Sequence, residues 1–240
     1  MRLLPDFLKR LMTGGSPTAA AKSWPEPLRD YMSKRSKPPK SKALSEIRFV
    51  VFDSETTGLD LSTNRLLSIA GVGVTGLEVQ LDDTFGVMVA QPDVGGADAA
   101  VIHGLISYDL AGGLPEDEAA ARFLAFAGDA VLVAHHAAFD MRMLQKAITP
   151  HRGAKVWNAS VDTAQLAKRV EVGSMTPNQA RGAEPREAYQ LDSLVERYGI
   201  DVPERHTAAG DALATALLFQ RLLRKAERRG IRTLGDLLAR

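Results

Sequence analysis

This 240-residue chain changes rhythm once, and that change sets its fold class. Between 48 and 90 it carries short β-branched and aromatic runs broken by turn residues: RFVVFD (48–53), RLLSIAGVGV (65–74), LEVQL (77–81) and TFGVMVA (84–90). Turns at Thr75-Gly76 and Asp82-Asp83 suit antiparallel hairpins. Beyond residue 114, helices and strands alternate. PEDEAAARFLAFA (115–127) reads as a helix opened by proline and acids, AVLVA (130–134) as a strand, 139–148 as a helix and AKVWNAS (154–160) as a strand. Helices are expected over 162–170, 191–198 and 208–229. A meander followed by alternation predicts an α/β fold, a mixed sheet with helices on its faces.

Composition narrows the chemistry. The chain has no cysteine, which excludes a disulfide framework, a thiolate metal site and a cysteine nucleophile, and a cytoplasmic location is expected. No apolar run approaches the ~20 residues of a spanning helix, and MRLLPDFLKRLM is too short and interrupted for a secretory signal. The net charge of +1 hides an asymmetry. Residues 1–45 hold 10 Lys/Arg against 3 Asp/Glu, residues 221–240 hold 7 against 2, and the middle is left with 13 against 24. An acidic centre with basic ends excludes a globally basic nucleic-acid binder for the middle. It fits a metal-dependent site acting on a polyanion, and equally a solvated acidic surface with basic tails.

Three segments are expected along the chain: an N-terminal amphipathic and basic arm (1–32), a Lys/Pro/Ser-rich linker (33–45, SKRSKPPKSKALS) and a domain (46–240). In the arm, Leu3, Leu4, Phe7, Leu8, Leu11 and Met12 recur at helical spacing. That face suits packing on its own domain, a membrane surface or a protein partner through residues 1–45.

Three acidic stations follow. Asp53 and Glu55 flank Ser54 where the first strand runs out, and on an extended chain residues i and i+2 project to one face. Two like charges held so close need a cation, and Mg²⁺ or Mn²⁺ prefers such oxygen ligands. Asp140 lies near the first turn of the helix after LVAHHAAF. In His206-Thr207-Ala208-Ala209-Gly210-Asp211, Thr207 as N-cap leaves His206 in the loop and puts Asp211 in the first helical turn. Each acid alone also fits the favourable placement of negative charge at a helix start or wet strand end. Together, four carboxylates have the ligand count for two divalent ions, and a loop histidine, with a reference pKa near ~6.5, suits a general base.

The residues resemble the DEDDh 3′→5′ exonucleases of the ribonuclease-H-like superfamily, which includes the proofreading subunit of bacterial DNA polymerase III. The resemblance covers roughly residues 46–229 and rests on FDSETTGL (52–59), AHHAAFDMRML (134–144) and RHTAAGDA (205–212), in that order. IHGL (102–105), VDTAQLAKR (161–169) and LDSLVERYGI (191–200) match intervening segments. It implies a ribonuclease-H-like sheet, a three-strand antiparallel meander plus two parallel strands, flanked by helices. It also implies release of nucleoside monophosphates from single-stranded or frayed 3′ DNA ends by two-metal hydrolysis. On that basis Asp53, Glu55, Asp140 and Asp211 would hold two Mg²⁺ or Mn²⁺ ions, with His206 as general base. Thr56, Thr57, Gly58 and Leu59 would hold the terminal nucleotide, with His103 and His136 as further substrate contacts. Asp162 is expected to cap a helix.

Two positions depart from the family pattern. His136 stands where asparagine is usual, and Ser68 where glutamate is frequent. Two other functions stay open on sequence grounds: an exoribonuclease trimming RNA 3′ ends, and a non-catalytic nucleic-acid-binding module.

Overall fold

A computed structural model describes residues 23–91, 112–172 and 186–239. Five strands form one sheet: β1 (Phe49–Thr56), β2 (Leu66–Thr75), β3 (Glu78–Met88), β4 (Val131–Ala134) and β5 (Ser160–Asp162). Their order is β3-β2-β1-β4-β5, antiparallel through β3, β2 and β1 and parallel through β1, β4 and β5. The mixed sheet expected from the change in rhythm is therefore present.

Seven α-helices flank it among the described residues: α1 (Glu26–Ser33), α2 (Glu116–Ala127), α3 (Ala138–Ala147), α4 (Thr163–Val172), α5 (Leu191–Arg197), α6 (Ala208–Arg228) and α7 (Leu234–Leu238). None is long and apolar enough to cross a membrane. Alternation along β1 divides two cores. Phe49 and Val51 face the α6 side, where Phe49 meets Phe219 edge-on at 5.0 Å between centroids. Val50 and Phe52 face the α2 and α3 side, where Phe52 lies 4.9 Å from Phe123.

The structure corrects four expectations. First, no turn occurs at Asp82-Asp83; β3 runs through it as one strand with an irregularity. Val72 pairs with Thr84 while Gly73 pairs with Gln80, so Leu81, Asp82 and Asp83 are extruded from the ladder. The Asp83 carboxylate folds over Gly73, where a Cβ would collide with it, and accepts two bonds of 2.9 Å from the Arg48 guanidinium. Second, β1 does not end at Asp53 but continues to Thr56, with an irregularity after Glu55. The carboxylate pair thus stands on strand backbone that pairs with β2, Asp53 opposite Ala70 and Glu55 opposite Ser68.

Third, most of 154–160 is irregular, because side chains take the hydrogen bonds a strand would need. Gln145 Oε1 accepts from Val156 N at 3.0 Å and Tyr31 Oη from Trp157 N at 3.0 Å. Asn158 donates to the Ala130 carbonyl at 2.7 Å and accepts from Tyr31 Oη at 2.6 Å. Fourth, residues 24–31, expected to finish an arm, pack on the domain, while the expected linker 33–45 is largely exposed over 33–41 and held at its end. Leu28 and Tyr31 of α1 are fully buried in the α2-side core. Lys40–Ile47 is strapped to the C-terminus through Leu44 N to Arg232 O at 2.9 Å and Gly235 N to Lys40 O at 2.7 Å. The strap's anchor is α7, opened by a Thr233/Asp236 capping box. Its signature, T-x-x-D, is local but was not among the expected helices. The amphipathic stretch 3–12 lies outside the described residues.

Candidate active site

Asp53 and Glu55 project from the α6-side face of β1, as their two-residue spacing requires. Asp211 comes from the first turn of α6, where Thr207 caps the helix by accepting from Gly210 N at 3.1 Å. Gly210 is required there: a Cβ would collide with the Glu204 carbonyl. Ligand oxygens of Asp53, Glu55 and Asp211 all lie within 4.8 Å of one another. Asp140 reaches the same region from the opposite face. It sits on the first turn of α3, is 5% exposed, and accepts from Ser54 Oγ at 2.6 Å through Oδ1. Ser54, between the two β1 carboxylates, points to the α3 side and so ties the fourth carboxylate to the strand.

The electrostatics of this group are unfavourable without a cation. Burial pushes the Asp53 carboxyl well above the ordinary carboxylate range, and the charges of Asp140, Asp211 and Glu55 push it further, while Arg205 pulls the other way. Burial, followed by the Asp211 charge, takes Glu55 up to about 7, with His206 opposing. Asp140 also rises to about 7, burial outweighing its hydrogen bonds with Ser54 and the backbone. The residues fit a divalent ion: hard, anionic oxygen donors, converging and desolvated, as Mg²⁺ or Mn²⁺ requires.

His206 is exposed at the loop–α6 junction, in left-handed backbone conformation (φ 64°), with its N–H donated to Asp211 Oδ1 at 3.1 Å. That bond ties the residue's backbone to a carboxylate of the cluster. The turn after β1 is braced internally. Thr56 Oγ1 donates to Gly58 O at 2.7 Å, and Thr57 Oγ1 accepts from Arg65 N at 3.0 Å. Leu59 at its tip is 85% exposed.

His136, exposed and at φ 60°, heads the turn into α3 and meets His135 edge-on at 4.6 Å. His135 beneath it is held by Thr163 Oγ1 at 2.9 Å and the Tyr189 carbonyl at 3.1 Å; burial pushes its imidazole down to about 4, so it is neutral. Ser68 lies opposite Glu55 across β1 and β2. It opens on a groove of about 310 Å³ lined also by Ala70, Gly86, Met88, Thr207 and Ala208. Asp162 Oδ1 accepts from Ala164 N at 2.9 Å, the capping role expected of it. His103 lies outside the described residues.

Two site residues escaped sequence reasoning. Ser54 was passed over as the spacer between acids, although strand alternation already aims it at the opposite face. Arg205 opens the third motif, RHTAAGDA, beside the histidine. Nothing local signals that it bridges Asp211 Oδ1 (2.7 Å from Nε) and Asp192 Oδ1 (2.7 Å from the guanidinium).

Comparison with known proteins identifies the family. The family described as Exonuclease (RNase_T) matches residues 50–219. A DNA polymerase III subunit epsilon-like protein of Rhodobacter capsulatus is 35% identical over 198 residues, covering 81% of this chain but only 26% of the relative. Among solved structures, E. coli exonuclease I in complex with a dT13 oligonucleotide aligns with a TM-score of 0.60 at 16% identity, over 77% of this chain and 43% of that one. Exonuclease X in complex with 5′ overhanging duplex DNA aligns at 0.56 and 20% identity, over 80% of this chain and 99% of that one. At these identities the structural likeness concerns the fold, and it is the ribonuclease-H-like fold of exonucleases.

Proposed function

This chain belongs to the exonuclease family, and from that premise we propose that it is a metal-dependent 3′→5′ exonuclease releasing nucleoside 5′-monophosphates from single-stranded or frayed 3′ DNA ends. The observation that carries the reading is the convergence of Asp53, Glu55 and Asp211 within 4.8 Å, with Asp140 tied alongside and His206 at the rim. DNA is favoured over RNA because the solved neighbours carry DNA in their descriptions.

Asp53, Glu55, Asp140 and Asp211 would hold two divalent cations. When bound, these offset the carboxylate charge, lower the pKa of water and polarise the phosphodiester. His206, at the open edge, takes the proton from the attacking water. The new oxygen–phosphorus bond forms as the bond to the penultimate nucleotide's 3′ oxygen breaks, and that oxygen takes a proton from solvent, leaving a nucleoside 5′-monophosphate and a 3′-hydroxyl. The Thr56–Leu59 turn, stiffened by its own hydrogen bonds, presents Leu59 to the terminal base, and His103 and His136 are further substrate contacts in this reading. A partner protein, suggested by the polymerase-subunit name of the relative, would be met ahead of Ser23, since Trp24, Leu28, Tyr31 and Leu44 are already committed to the domain.

The test is a 5′-labelled single-stranded DNA and a matched RNA, each with Mg²⁺, Mn²⁺ or EDTA, beside an Asp53→Asn control. A metal-dependent ladder shortening from the 3′ end of the DNA, absent in the control, is expected. Shortening of RNA alone would reassign the substrate, and a folded, metal-binding protein that cuts neither would favour the binding module.

A further inference from the structure

The geometry points to Arg205 as a positioning residue that, anchored on Asp192, holds one oxygen of Asp211 so that the other is presented to the cation site. The inference rests on the metal-dependent reading above and extends it to a residue which that reading leaves without a role.

The guanidinium is used at two edges. Nε donates to Asp211 Oδ1 and a terminal nitrogen to Asp192 Oδ1, both at 2.7 Å, a short, charge-assisted length. The Asp211 end is sheltered, with Arg205 and Asp211 side chains 19% and 16% exposed, whereas Asp192 is 68% exposed. Asp211 Oδ1 also accepts from His206 N at 3.1 Å, so two donors already engage this oxygen of a carboxylate that comes within 4.8 Å of those of Asp53 and Glu55.

The backbone around Arg205 explains why a clamp is needed. Glu204 and His206, on either side, both have left-handed φ values of 57° and 64°. Such conformations are strained for side-chain-bearing residues and persist only where neighbouring contacts enforce them. The loop is enforced from below by Thr207 Oγ1 on the Glu204 carbonyl at 2.7 Å and by the close passage of Gly210. From the side it is enforced by Arg205, which ties it to the first turns of both α5 and α6. A lysine carries the charge but has no fixed fork with which to span the two carboxylates.

The sign of one measurement separates this role from charge screening. Arg205 is a cation beside a cation site. If it merely screened the carboxylates, removing it would tighten divalent-ion binding. A residue that orients Asp211 has the opposite effect: its loss weakens binding despite the more negative site.

The experiment titrates Mn²⁺ into the 240-residue chain by electron paramagnetic resonance, for wild type, Arg205→Gln, Arg205→Lys, Asp192→Asn and the double variant Asp192→Asn/Arg205→Gln. Thermal melting and steady-state exonuclease kinetics accompany it. Arg205→Gln is expected to weaken Mn²⁺ binding roughly 5- to 10-fold and lower kcat roughly 10- to 100-fold, leaving KM within about twofold. Arg205→Lys should recover only part of the loss. Asp192→Asn, exposed and remote from the reacting atoms, should weaken binding roughly 2- to 5-fold without lowering Tm, and add nothing to Arg205→Gln. Unchanged or tighter Mn²⁺ binding in Arg205→Gln overturns the inference, as does an Asp192→Asn effect that adds fully to it. If wild type binds Mn²⁺ but degrades no nucleic acid, the exonuclease reading fails while the Mn²⁺ titrations still decide the role of Arg205. If wild type binds no Mn²⁺, both fail.

Discussion

Ser54 Oγ donates to Asp140 Oδ1 at 2.6 Å, joining the strand that carries Asp53 and Glu55 to the helix packed on its opposite face. This bond fixes a buried carboxylate behind the sheet at the strand position between Asp53 and Glu55. A hydrogen bond to a charged group contributes roughly 1.5–3 kcal/mol. Ser54→Ala is therefore expected to lower kcat about 10-fold or more while the circular dichroism spectrum stays native, and Ser54→Thr to retain most of the rate. Steady-state kinetics on a single-stranded oligonucleotide would check it; full activity in Ser54→Ala would remove the bond from any catalytic role.

Burial raises the Asp53 carboxyl first, and the charges of Asp140, Asp211 and Glu55 raise it further. Asp53→Asn should drop turnover by roughly 10³-fold or more. The same change relieves repulsion, so the metal-free variant should melt at a higher temperature than metal-free wild type. Paired activity and melting measurements test both halves, and a lower metal-free Tm would contradict the electrostatic account.

The pH dependence of stability follows from the same group. Glu55 and Asp140 titrate at about 7 in the folded protein, against ordinary values of 4.5 and 3.8. Between about pH 4 and 7 the unfolded chain has released these protons and the folded one has not, so raising pH favours unfolding. In EDTA, Tm should therefore fall on the order of 10 °C from pH 5 to pH 7.5, given ~2–4 °C per kcal/mol for a chain of this size. Millimolar Mg²⁺ or Mn²⁺ should restore it at pH 7.5 and have little effect at pH 5, because protonated carboxyls are poor ligands. Differential scanning calorimetry at the two pH values would show a flat metal-free profile if the cluster were not strained.

Leu59 is 85% exposed among the described residues, on a braced turn. Leu59→Ala is expected to leave Tm unchanged and raise KM for single-stranded DNA roughly 5- to 10-fold, the cost of one lost apolar contact with a base. An unchanged KM would take the terminal base elsewhere.

Leu28 is fully buried although it precedes the expected domain start by 18 residues. Leu28→Ala should cost ~2–5 kcal/mol by urea unfolding, as for a core leucine. A loss below ~0.5 kcal/mol would mean α1 is loosely held.

Local periodicity accounts for what was legible beforehand. A two-residue repeat is a property of any extended chain, so the common face of Asp53 and Glu55 was readable before their neighbours were known. The position of Asp211 one turn inside a helix was readable from the Thr207 cap. The alternation of strand and helix after residue 114 announced the mixed sheet. What stayed hidden depends on residues far apart in the chain. Ser54 meets Asp140 across 86 positions, and Tyr31 meets Asn158 across 127. The second contact, together with Gln145, replaced an expected strand by side-chain hydrogen bonds. Asp83 kept β3 continuous because Arg48, 35 positions earlier, gave its carboxylate a partner and Gly73 left room for it. Arg205 acquired two carboxylates only when α5 and α6 docked side by side. Backbone geometry repeats along the chain and can be read locally; which side chain satisfies a buried charge is settled by packing in three dimensions.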